Sequence, residues 1–84
     1  MKIKMLRLTA SSSRVELGRV TVWFSYETPI AFSSIDGMLV VRENDWGPTT
    51  GKHMNKVDGG QLMAKHRRVS GTVFTHRLEA LLLA

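Results

Sequence analysis

The sequence predicts a small, mainly β domain: a twisted antiparallel barrel with a short helix near 51–57 and a second helix at its C-terminus. Three observations carry that expectation. Side chains alternate between two faces through residues 19–26, the period of a strand. Turn-forming groups, Asp36-Gly37, Gly47-Pro48 and Asp58-Gly59-Gly60, punctuate the chain at short intervals. Past Ser70 the apolar residues change to helical spacing, with Phe74, Leu78, Leu81 and Leu82 on one stripe.

The elements follow in order. Residues 2–8 alternate, Ile3 and Met5 against Lys2 and Lys4, until Leu6 and Leu8 break the phase. A bulge near Met5–Leu6, or burial of both faces, accounts for the slip. Residues 9–14 are rich in serine and read as a loop. Residues 19–26 form the clearest strand, with Val20, Val22, Phe24 and Tyr26 on one face and Arg19, Thr21, Trp23 and Ser25 on the other. Pro29 ends it, because proline donates no ladder hydrogen bond. Residues 30–32 give a short strand and residues 33–37 a hairpin loop in which Asp36-Gly37 supplies positive φ. Residues 38–42 return as a strand whose continuous apolar run requires cover on both faces. Thr49 or Thr50 caps a helix over 51–57, and Asp58-Gly59-Gly60 stops it. Residues 62–69 fit neither period. Ser70 or Thr72 caps the terminal helix, against a competing reading of 69–73 as a tight hairpin.

Eighty-four residues make one domain, 1–84. Its core is thin, and burial of further surface in a homo-oligomer is the usual remedy. Leu78, Leu81 and Leu82, or a sheet edge, are the expected contacts. Hydrophobic residues at 43% and charged residues at 23% fall in the globular range, which argues against disorder. The absence of cysteine excludes a disulfide scaffold and any thiolate metal site. A reducing, cytoplasmic location is expected, since secreted domains of this size ordinarily need staples. Charges interrupt the N-terminal apolar residues, so no signal-peptide core forms, and Leu81–Leu83 is too short to span a bilayer.

The net charge is +5, and it is concentrated. Between Gly51 and Arg77 stand Lys52, Lys56, Lys65, Arg67, Arg68 and Arg77, against the single acid Asp58. His53, His66 and His76 fall in the same stretch. Such a segment attracts phosphate backbones, and the candidate nucleic-acid residues are Lys52, His53, Lys56, Lys65, Arg67 and Arg68. The competing reading is a solvated face that keeps a small protein in solution.

The string from Gly47 to His53 brushes against a phosphate-binding loop but fails its spacing, lacks the hydroxyl after the lysine and includes a proline. A residual version leaves free N–H groups and a lysine at a helix start near Gly51, able to hold one phosphate. The three histidines share no helical face, which gives no metal site. Trp23 is either a packed core residue or an exposed base-stacking platform beside Arg19; packing is the expectation, because large aromatics dominate small cores.

Residues 23–32, Trp-Phe-Ser-Tyr-Glu-Thr-Pro-Ile-Ala-Phe, with Trp46 and the Thr49–Asn55 segment Thr-Thr-Gly-Lys-His-Met-Asn, resemble a family of short proteins from bacterial, phage and environmental sequences. The resemblance covers most of the first sixty residues. It implies a small Sm-like or SH3-like barrel and no assigned activity. The chain opens directly on a strand and places its convincing helix last, so ring assembly and RNA contacts of Sm proteins do not carry over. Both motif segments read as barrel corners whose polar side chains bond local backbone, which makes Glu27, Thr28 and Thr49 structural.

The expected function is therefore non-enzymatic, with no catalytic residue, metal, cofactor or small-molecule substrate. RNA or DNA and further copies of the chain are the expected partners. The alternative is a self-associating structural or regulatory protein that binds another protein. A small ribonuclease built on a histidine–lysine pair ranks third.

Overall fold

The computed structural model describes residues 3–83, so Lys2, assigned above to the first strand, lies outside them. The architecture is mainly β and rests on a five-stranded antiparallel sheet in sequence order. Its strands are β1 (Ile3–Thr9), β2 (Ser12–Leu17), β3 (Val20–Ser25), β4 (Thr28–Ser34) and β5 (Leu39–Val41). Three helices follow, α1 (Pro48–Asp58), α2 (Leu62–His66) and α3 (Gly71–Leu82). Among the described residues no helix is long and apolar enough to cross a membrane.

The sheet does not close, which corrects the barrel expectation. β1 and β5 are its two ends. β5 is only three residues long, and its outer side is taken by the chain returning from α2. There Val69 N–H donates to the Val41 carbonyl at 3.0 Å and Glu43 N–H to the Val69 carbonyl at 2.8 Å. Helices cover the faces instead of a barrel wall. On one face Val20, Val22, Phe32 and Val40 pack with Phe74 and Leu78 of α3, the two phenylalanine rings 5.3 Å apart. On the other, Ile30, Ala31 and Val41 pack with Met54 of α1, joined by Trp23 and Val57. Within the apolar run of residues 38–42, Val40 and Val41 each meet a helix, on opposite faces, whereas Met38 and Leu39 stay exposed, so the expected cover is only partial. Trp23 is half-buried and packs against the α1 cluster, as expected of a core aromatic.

Four local expectations change. Residues 9–14 are not a loop: Ala10 and Ser11 make the turn and Ser12 already begins β2. Serine is tolerated there because its hydroxyl finds partners, Thr9 Oγ1 at 2.7 Å among them. The β1 irregularity lies between Arg7 and Thr9 rather than at Met5–Leu6. Pro29 belongs to β4, facing Phe24 beside a register shift that leaves Ile30 as the extra residue. β5 reaches only to Ala31, so the N–H that Pro29 lacks is not needed on that side. Helix α1 starts at Pro48 with Gly47 as its cap, so neither Thr49 nor Thr50 caps it. Proline's fixed φ suits the first helical position.

The C-terminal helix stands as read, and the hairpin alternative does not form. Ser70 caps α3, its hydroxyl accepting from Val73 N–H at 3.3 Å. Gly59, at φ 86°, ends α1 in the left-handed conformation. Leu78 is buried beneath α3, which removes it from the contacts expected for an oligomer.

Candidate functional site

Helix α1 separates the sequence-predicted residues into two populations. Thr50, His53, Met54 and Val57 stand at the spacing of a helix stripe and turn toward the sheet. Lys52 and Lys56, one turn apart, are on the exposed side. His53 is therefore not part of a basic surface, a correction that follows from its position in the stripe.

His53 anchors a polar knot. Its Nδ1 lies 2.6 Å from Ser25 Oγ, which lies 3.1 Å from Thr50 Oγ1. Its Nε2 lies 3.1 Å from Ser11 Oγ. Tyr26 N–H donates to the Ser11 carbonyl at 2.7 Å, and the tyrosine ring tilts toward the imidazole at a centroid distance of 6.2 Å. Burial, assisted by the nearby Lys56 charge, lowers the His53 pKa. A neutral imidazole offers one donor and one acceptor, which suits two hydroxyl partners. Hydroxyls supply no negative charge to stabilise an imidazolium, so the arrangement lacks the orienting carboxylate of a nucleophilic triad. It ties the ends of β2 and β3 to α1. Tyr26 is held there at φ 55°, a conformation rare for a residue with a Cβ.

Arg68 is the second correction. Its side chain and that of Asp58 are 6% and 8% exposed. Arg68 Nε donates to Asp58 Oδ2 at 2.8 Å and Nη2 to Oδ1 at 2.9 Å, a bidentate pair, with a further bond to Asn55 Oδ1 at 3.0 Å. Burial opposes ionisation of Asp58, but the Arg68 hydrogen bonds and the Gly60 N–H outweigh it, so the carboxyl pKa falls below its usual value. The pair fastens the chain after α2 to the last turn of α1.

Lys52, Lys56, Lys65 and Arg67 remain exposed. Among the described residues none has an acidic partner within ion-pair distance. The helix start expected at Gly51 lies instead at Pro48, and the Gly51 N–H already donates to the Gly47 carbonyl at 3.1 Å.

A further aromatic site stands at the start of α1. Trp46 is 46% exposed, and the Arg42 guanidinium lies over its ring, 4.6 Å from the centroid. Asn44 fixes the turn: its Oδ1 accepts from Trp46 N–H at 3.0 Å while its Nδ2 donates to the Gly47 carbonyl at 3.1 Å. The legible signal is Asn44 two residues ahead of Trp46, the spacing of an Asx-turn.

A model described as a family of unknown function, DUF8033, matches residues 1–75. The chain belongs to that family. The DUF8033 match takes in every residue of the knot, the Arg68–Asp58 pair, the four exposed cations and Trp46; the rest of α3 lies beyond it. No curated protein and no solved structure matches the chain.

Proposed function

We propose that this DUF8033 domain is a non-enzymatic nucleic-acid-binding module whose contact surface carries Lys52, Lys56, Lys65 and Arg67. One observation supports the reading above the others. Asp58, the only acid between Gly51 and Arg77, is withdrawn into the buried pair with Arg68, so the four exposed cations, Lys52 and Lys56 of α1, Lys65 of α2 and Arg67 just past it, are left without an acid of their own segment to pair with. A phosphate backbone supplies the counter-charge. Kinship with small Sm-like or SH3-like barrels rests on the five-strand meander alone and belongs to the same proposal, as does a cytoplasmic location.

Mobility shift at low ionic strength tests it. Binding is expected to tolerate sequence and to weaken steeply with salt, because phosphate contacts release counterions. Changing Lys52 and Lys56 to Ala lowers affinity alike for unrelated sequences. It also flattens the logarithmic salt slope by about 0.7 for each single-strand phosphate that the missing cations no longer neutralise. No binding of RNA or DNA at low salt, or unchanged binding by the double variant, overturns the proposal.

A second reading, self-association, is favoured by edge strand β1, where Ile3, Met5 and Leu8 are exposed and one side of the strand has no neighbour among the described residues.

A further inference from the structure

We infer that Trp46 is a base-stacking platform and that the ligand is a single strand; the inference rests on the nucleic-acid reading and names its substrate class. Four observations converge on the residue. The indole is 46% exposed although it is the largest side chain in its segment. Arg42 holds one face of the ring at 4.6 Å, leaving the exposed remainder to meet a ligand. Asn44 clamps the backbone on both sides of Trp46, and Arg42 is confined between Asp45, 3.4 Å away, and Gly71. A Cβ at Gly71 would stand 2.3 Å from Arg42 Nη2, so the absence of a side chain there makes room for the guanidinium beneath the indole.

Position supplies the partner. Trp46 precedes the first residue of α1 by two, and the exposed side of α1 carries Lys52 and Lys56. At 1.5 Å per residue these cations stand about 6 and 12 Å along the axis from Pro48. A stacked strand advances about 3.4 Å per nucleotide, so roughly four nucleotides span the track from ring to second lysine. Under this inference the ring takes a base and the lysines of α1 take the phosphates that follow it. In a duplex both faces of each internal base are already stacked, so the indole gains nothing from it. A protein or lipid partner makes no such distinction between paired and unpaired strands.

Fluorescence anisotropy with labelled oligo(dT), oligo(U) and a blunt duplex of matched charge tests this on the full chain. Wild type is expected to prefer both single strands over the duplex. Trp46→Ala weakens single-strand binding by at least about fivefold, from the usual worth of one stacked base. It leaves duplex binding and the salt slope as in wild type, because the phosphate contacts are untouched. Trp46→Phe retains most of the affinity, and thermal melts confirm that both variants fold. Tryptophan emission falls on saturation in a Trp23→Phe background; if that variant does not fold, the anisotropy series decides alone. Equal single-strand affinity for Trp46→Ala and wild type, or no preference over duplex, overturns the inference while leaving cationic binding in place. Absence of all binding at low salt overturns the parent reading and this one together.

Discussion

Arg67 and Arg68 are neighbours in sequence and opposites in the fold. Arg67 is exposed, and removing its side chain is expected to change stability within about 0.5 kcal/mol. Arg68→Ala strands the Asp58 carboxylate in the interior, and breaking a buried pair from one side costs about 3–5 kcal/mol. A domain of this length holds roughly 4–13 kcal/mol in total, so most of the margin disappears. Urea denaturation of the two variants checks the contrast; equal midpoints would refute the structural role. His53 gives a pH prediction. Its pKa is lowered in the fold, so the unfolded chain takes up the proton first, and stability is full above the ordinary value of 6.5. It is lost progressively as pH falls below 6.5 toward the depressed folded value. Asp58 acts in the same direction only in stronger acid, below its ordinary 3.8. His53→Asn is expected to melt lower at neutral pH and to show a flatter decline between about pH 5 and 7. The burial of His53 is legible, since Thr50, His53, Met54 and Val57 form one stripe whose apolar members, Met54 and Val57, fix its direction. The burial of Arg68 is not, because it depends on Asp58, ten residues earlier and placed by the path of the chain through α2.

Among the elements, those set by their own periodicity are the ones the chain displays. β3 carries β-branched and aromatic residues at strict alternation, and α3 carries both a serine cap and an apolar stripe. β2 is hidden because serine has no strand preference of its own; Ser12 enters the ladder only through its partner Ser25 and its bond to Thr9. α2, five residues long with no buried side chain, carries no stripe to read. Closure of the sheet is equally invisible, being decided by what occupies the outer side of β5. The junction of β5 and α3 yields a prediction at this scale. Gly71 is the first residue of α3, where alanine loses less backbone freedom on folding than glycine and gains part of the ~1 kcal/mol seen in helix interiors. Its Cβ would press on the Arg42 guanidinium at 2.3 Å, a flexible group able to move away. Gly71→Ala is therefore expected to fold with stability near wild type while displacing Arg42 from beneath the indole. The readout is Trp46 emission, compared with Trp46→Phe to isolate it from Trp23. An unchanged Trp46 spectrum would show that the stack does not depend on the missing side chain.

At the scale of the whole molecule, the charge of +5 sets opposite salt responses for the two functional readings. Contacts with phosphate weaken as salt rises, because fewer counterions gain freedom on release. Contacts between two copies of a basic chain respond the other way: screening shortens the repulsion, to a Debye length of about 8 Å at physiological ionic strength, and lets apolar surfaces approach. Exposed apolar side chains include Ile3, Met5 and Leu8 on the edge strand β1 and Leu82 and Leu83 at the end of α3; Leu78 is in the core and Leu81 is half-buried against it. Edge pairing of β1 with its symmetry mate would satisfy the strand's unpaired backbone groups as well. Light scattering on the free protein is expected to show mass increasing with concentration and with salt. Met5→Lys puts a charge into the apolar contact of an already basic edge and returns the protein to a monomer, while nucleic-acid affinity at low salt is retained. A monomer mass across the full concentration range at high salt would eliminate the β1 interface.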